Sequence, residues 1–312
     1  RDRHPARMIA AQIWLPASLL AGLFQAWRTA LQQRLRGALS VSGAGLVRYA
    51  FGAPFATLML CGYFSVTGDS LPGVTLPYLA IAAAAGLAQI LGTALLILSF
   101  SYRGFVVGTA FSKTEALLAA LVAAAFFSER LPWLAWIGIA AGVVGVMLLS
   151  LPEQRLSLRA LGQSAVQPAA LCGLGAAGLF ALTGLLVKQA AGHLALADPI
   201  AAALVTLVAV MVLQTAMHGA YVTWREPATW RAIGRNWRNA GLVGLLAACG
   251  SACWFIGFAT ASVALVRVVG QVEVLFTLGF AHLYLAEKVR AKEAVALLLI
   301  AAGVILALMA GL

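Results

Sequence analysis

Long apolar runs almost free of charge decide what this chain can become. Residues 132–151, 198–222 and 239–260 are each long enough to cross the hydrocarbon of a bilayer as a helix. Inside that layer the backbone finds no water to bond, so such runs satisfy their own amides and carbonyls by coiling. Over the 312 residues, 62% are hydrophobic and 10% charged, whereas soluble domains are about half apolar and about a quarter charged. A soluble fold of this length cannot hide so much apolar surface. We therefore expect an all-α polytopic membrane protein embedded in a lipid bilayer.

Punctuation by Gly, Pro and short polar stretches divides the chain into about ten transmembrane helices. The first five run over residues 9–31, 43–66, 76–101, 104–127 and 132–151. The second five run over 167–190, 198–222, 239–260, 262–285 and 291–311. The basic start before the first span continues through Pro16 without a cleavage signature, so that run is kept as a helix rather than a signal peptide. Of the longer polar connections, 223–238 holds Trp224, Trp230 and Trp237 among Arg225, Arg231, Arg235 and Arg238. That composition reads as an interfacial helix or loop resting on headgroups.

The chain also says one thing twice. Lys113-Thr114-Glu115 leads to Glu129-Arg130, and Gln271-Val272-Glu273 leads to Glu287-Lys288 over the same fourteen-residue separation of glutamates. Ile139-Ala140-Ala141-Gly142-Val143 returns as Ile300-Ala301-Ala302-Gly303-Val304, and Ala21-Gly22-Leu23-Phe24 returns as Ala177-Gly178-Leu179-Phe180. The expected organisation is one five-helix repeat over 9–151 and a second over 167–311. Five is odd, so the second copy enters the membrane from the opposite side. An inverted 5+5 repeat is the architecture of carriers whose site lies between their halves at mid-membrane.

The net charge of +11 is no nucleic-acid signature, because the basic residues fall in short loops. Twelve Lys and Arg lie in the loops after odd-numbered spans. The other side holds two, or five with Arg1, Arg3 and Arg7. The rule that basic loops stay inside puts both termini outside. The four cysteines sit in apolar runs without metal-ligand spacing, so no metal or cofactor is expected. No phosphate loop, nucleophile elbow or zinc-protease motif occurs, and Asp, His and Ser do not converge at an interface. An enzyme is disfavoured and so is ATP-driven pumping.

Ionisable groups inside a span cost about 3 kcal/mol or more and mark function or pairing. Six fall there: Arg28, Arg48, Lys113, Glu115, Arg267 and Glu273. Arg28 and Arg48 lie near helix ends, where a guanidinium can also snorkel to the headgroups. Lys113 and Glu115 are two residues apart and face opposite ways, so they do not pair with each other. By the repeat, Lys113 corresponds to Gln271 and Glu115 to Glu273. Two readings stay open. The four inner charges either form buried ion pairs that lock the halves together, or line a cavity where Lys113 and Arg267 meet substrate and a glutamate handles protons. Gln25 and Trp27, Gln89, and Trp254 complete the candidate substrate-binding set with Gln271. His282 reads as a packing residue, and Gly138 with Gly142 as a close helix contact.

The duplicated motif, Glu, then a second Glu fourteen positions on with a basic neighbour, and a Gly-rich helix, over ten spans, resembles the EamA-type drug/metabolite transporter superfamily. The stretches Ser112 to Gly145 and Gln271 to Gly303 carry the resemblance. It implies helices 1–4 and 6–9 around a central cavity, helices 5 and 10 on the periphery, and export of metabolites or drugs. The small multidrug branch keeps a glutamate in its first helix, where this chain has Gln25 and Arg28, so that branch's chemistry is not expected. Many members keep their termini in the cytoplasm, whereas the loop charges here argue the reverse. The six intramembrane charges sum to +2, which favours anionic or zwitterionic cargo such as an amino acid or organic acid. The expected function is secondary, proton-coupled export across the bacterial inner membrane by a monomer or homodimer. The alternatives are a multidrug or cationic-compound exporter and a non-transporting membrane subunit.

Overall fold

Local chemistry sets where the helices start and stop. The computed structural model describes residues 4–35, 39–68, 70–101, 111–126, 131–150, 167–273, 275–276 and 291–311, and among them the regular structure is helical. Helix α1 is His4–Leu35, and α2 (Val41–Ala50) begins where the Ser40 hydroxyl accepts from Gly43 N. Pro54 carries no N–H for the Ala50 carbonyl, and the helix breaks at Phe51 before α3, Gly52–Thr67. Gly68 ends α3 at φ 74°, a left-handed conformation in which glycine carries no Cβ penalty.

Helices α4 (Leu76–Ser101), α5 (Glu115–Phe126), α6 (Trp133–Ser150) and α7 (Pro168–Gly192) follow. Helix α8 (Pro199–Arg225) opens on Asp198, whose carboxylate accepts from Ile200 N, with Pro199 in the first turn. The 223–238 connection contains a short helix, α9 (Ala228–Arg235), which buries Thr229 and Ile233 while Trp224, Trp230 and Trp237 stay exposed. Helices α10 (Trp237–Thr260), α11 (Val263–Gly270) and α12 (Ala291–Gly311) complete the chain.

Five helical stretches among the described residues are long and apolar enough to cross a membrane: Val41–Thr67, Leu76–Leu96, Pro168–Gly192, Pro199–Arg225 and Trp237–Thr260. They fall on the second, third, sixth, seventh and eighth expected spans. Glu129, Arg130, His282, Glu287 and Lys288 lie outside the described residues.

The helices gather into two compact units, and each takes material from both sequence copies. The first comprises Arg1–Ile90 and Thr183–Ala261, the second Leu91–Leu182 and Ser262–Leu312. In the first, α1 lies along α10, and α8 and α10 flank α2 and α3. Gly244 of α10 meets the break at Phe51 so closely that a Cβ there would stand 2.7 Å from the Phe51 carbonyl carbon. In the second, α6 packs along α12. A Cβ on Gly303 would fall 2.7 Å from Gly138 O and Gly142 N, so this contact needs glycine. Gly142 and Gly303 are equivalent positions of the repeat, and they meet each other.

Candidate functional site

The second unit gathers the four inner charges. Lys113 Nζ stands 3.3 Å from Glu273 Oε2, and Arg267 Nη1 stands 3.5 Å from Glu115 Oε1. Arg267 Nη2 also donates to the Phe180 carbonyl at 3.4 Å. All four side chains keep no more than 20% of their surface exposed, so both pairs are largely desolvated. Each pair joins one sequence copy to the other, because Lys113 and Glu115 belong to the first and Arg267 and Glu273 to the second.

The backbone around these pairs repeats as well. Lys113 and Thr114 form a turn before α5, and Gln271 and Val272 form a turn after α11. Thr114 N donates to Phe111 O at 3.2 Å, and at the equivalent position Val272 N donates to Val269 O at 3.1 Å. These tightened bonds interrupt the helix where the charges sit, in both copies. Carriers place irregular backbone where it lines a site. Neither interruption has a proline, so the sequence gives no signal for it beyond the charges.

Gln271 is the asymmetric member. Its amide nitrogen and oxygen are both buried without a hydrogen-bond partner, and it lies against Gly142. Where the first copy has Lys113, the second has this neutral side chain. The cation that meets Glu115 comes instead from Arg267, one turn earlier on the helix.

The remaining candidates lie in the first unit. Trp254 Nε1 donates to Gln25 Oε1 at 3.1 Å, and the Trp254 ring stacks on Phe258. Trp27 is 51% exposed and joins neither group. Gln89 accepts from Gln214 Nε2 at 2.6 Å, and Gln214 also donates to the Gly86 carbonyl. These two amides line a narrow crevice together with Arg48, Tyr49, Ser251 and apolar side chains including Leu207, Met211 and Phe255. Gln214 and Ser251 were not singled out from sequence. Gln214 is the one amide in the 198–222 run, and that isolation was the available signal.

At the end of α8, outside the span, Glu226 ties α2 to the α8–α9 corner. It accepts from Ser40 Oγ at 2.7 Å, Ser42 Oγ at 2.9 Å and Thr229 Oγ1 at 3.3 Å. The Ser40 hydrogen bond leads in holding its carboxyl below the usual glutamate value, ahead of the opposing effect of burial, with Ser42 and Thr229 adding to it.

Charged and amide side chains held among apolar helices long enough to span a bilayer define the class, a helical integral membrane protein. Residues 167–309 match the model of the EamA-like transporter family. The fold is shared with a solved crystal structure at a TM-score of 0.72 and 18% identity, over 97% of this chain and 99% of the other. No curated protein matches the chain.

Proposed function

We propose that the protein is a secondary carrier that exports small metabolites, such as amino acids or organic acids, across the inner membrane by alternating access. The reading takes the two halves, 9–151 and 167–311, as inverted five-helix repeats in a ten-helix transporter. One observation supports it above the others: equivalent helix interruptions in both copies, cross-linked by Lys113–Glu273 and Glu115–Arg267. Pairs at 3.3 and 3.5 Å are longer than the roughly 2.7–2.9 Å of tight charge-assisted bonds. Such contacts can exchange partners. A proton arriving at Glu273 or Glu115 would release Lys113 or Arg267, and the freed cation would favour the other arrangement of the interrupted helices. In this reading Gln271 joins the four charges at the coupling site.

The test is flux in proteoliposomes loaded with radiolabelled amino acids or organic acids, with and without a pH gradient. Carboxylate efflux driven by the gradient, and reduced at least about tenfold in Lys113→Met and Arg267→Met, is expected. Unchanged flux in both variants would sink the coupling assignment. Movement of a cationic dye alone would favour the multidrug alternative, and no flux together with stable co-purification of a partner would favour a membrane subunit.

A further inference from the structure

The corner between α8 and α10 carries its charges and two of its indole rings on the outside. Residues 226–236 join two helices long and apolar enough to span a bilayer, Pro199–Arg225 and Trp237–Thr260. That connectivity places α9 at the membrane edge. Within 223–240 stand Arg225, Arg231, Arg235 and Arg238 against a single acid, Glu226. All four arginines are exposed, and among the described residues none of them pairs with a carboxylate. Glu226 is taken up by the hydroxyls of Ser40, Ser42 and Thr229. Arg231 and Arg235 are four apart on α9 and share a face, where like charges repel. An anion lying across that face offsets the repulsion.

The same helix has little apolar surface left to insert. An interfacial helix ordinarily binds by burying its apolar side at the edge of the acyl chains. Here that side is used inside the protein: Thr229 and Ile233 are buried, and Ile233 packs in one cluster with Leu46, Val47, Val222 and Val243. Trp230 is tied to α8, its indole N–H donating to Thr223 Oγ1 at 3.0 Å and its ring facing Gly219. What turns outward is Trp224 and Trp237 at the two span ends, 76% and 59% exposed. Each lies under its neighbour's guanidinium, with Arg225 Cζ 4.9 Å from the Trp224 ring centre and Arg238 Cζ 5.5 Å from that of Trp237. Indoles at span ends sit at headgroup level, which brings the stacked cations to the depth of lipid phosphates. A guanidinium forks onto phosphate oxygens. With apolar insertion largely removed, attraction to the surface falls to charge, and charge separates an anionic headgroup from a zwitterionic one. A nucleic acid or an acidic protein offers the same sign of charge without the apolar layer that the two indoles fit.

We propose that the corner formed by the end of α8, α9 and the start of α10 is a docking surface for the phosphate headgroups of anionic phospholipid. Arg231 and Arg235 are its principal contacts, and Trp224 and Trp237 set the depth of the flanking Arg225 and Arg238. The assignment does not depend on what the protein carries.

The test titrates the purified full-length protein in detergent with phosphatidylglycerol and with phosphatidylcholine of identical acyl chains. Native mass spectrometry resolves each lipid adduct by mass and so gives both affinities. Phosphatidylglycerol is expected to bind at least about tenfold more tightly, each arginine near the headgroups contributing about fivefold. The double variant Arg231→Gln/Arg235→Gln should lose about tenfold or more of that preference, while Arg231→Lys/Arg235→Lys, which keeps the charge, should retain most of it. Arg235→Gln alone, with about a fivefold loss, supplies the reading should the double variant fail to fold. Inorganic phosphate and a hexaglutamate peptide, which carry negative charge without acyl chains, should not displace the lipid at matched concentration. Equal affinity for the two lipids, a preference unchanged in the Gln variants or lost as fully in the Lys variant, or displacement by phosphate or the peptide overturns the assignment.

Discussion

The two compact units hold their charged side chains differently. In the second, two cations and two carboxylates cancel, each pair drawn from both sequence copies. In the first, Arg48 is partly exposed and lies over the Tyr49 ring, and Gln89, Gln214 and Ser251 line the same narrow crevice with no carboxylate among its described residues. The contrast corrects a simple use of net intramembrane charge. The sum of +2 that pointed to anionic cargo does not come from Lys113 and Arg267, whose charges are spent on Glu273 and Glu115.

The largest expected effects come from unbalancing the second unit. Lys113→Met strands Glu273, and Arg267→Met strands Glu115 while freeing the Phe180 carbonyl. Each should cost about 3 kcal/mol of stability in detergent unfolding, since removing one member of a buried pair leaves the other uncompensated. Adding Glu273→Gln to Lys113→Met should recover much of that loss, and no recovery would deny that the pair is the cause. Gly303→Leu follows, at about 1–3 kcal/mol, because the new side chain must displace the α6 backbone at Gly138 and Gly142. In the first unit, Trp254→Phe removes one neutral hydrogen bond to Gln25 and should cost about 1 kcal/mol.

The smallest effect is one of pH. The folded Glu226 carboxyl lies below its unfolded value, chiefly through Ser40. Its contribution is therefore fully present above the ordinary glutamate value and is lost as pH falls through the lower folded value. Glu226 lies at the surface and is only partly buried, so the acid-side loss should be slight. It should vanish in Glu226→Gln, as read by unfolding temperature across a pH series.

Much of this was legible in sequence because the membrane constrains it strongly. Apolar length fixed five of the spans within a few residues, and the recurring motifs drew attention to the glutamates that face cations of the other half of the sequence. The opposed directions of Lys113 and Glu115 correctly denied them a mutual pair. What the sequence withheld was partner choice. Lys113 finds Glu273 and Arg267 finds Glu115 across more than a hundred and fifty residues of chain, and no local periodicity encodes such a meeting. The interruptions at 113–114 and 271–272 were equally hidden, because no proline marks them, whereas Pro54 does mark the break at Phe51. Arg48 was weighed as a snorkelling residue from its place near a helix end. In the structure it is partly exposed and lies over the Tyr49 ring. Trp27, a candidate alongside Gln25, turns outward, because residues two apart on a helix face different ways.

The most direct test of this contrast compares two single variants in the absence of ligand. Thermal unfolding of Arg48→Gln and Lys113→Met in the same detergent reads what each charge contributes. Because Arg48 is partly exposed and no described carboxylate lines its crevice, Arg48→Gln should unfold near the wild-type temperature, while Lys113→Met, which breaks the pair with Glu273, unfolds several degrees below it. A loss in Arg48→Gln as large as that in Lys113→Met would show that Arg48 is already paired, and the distinction between the units would fall.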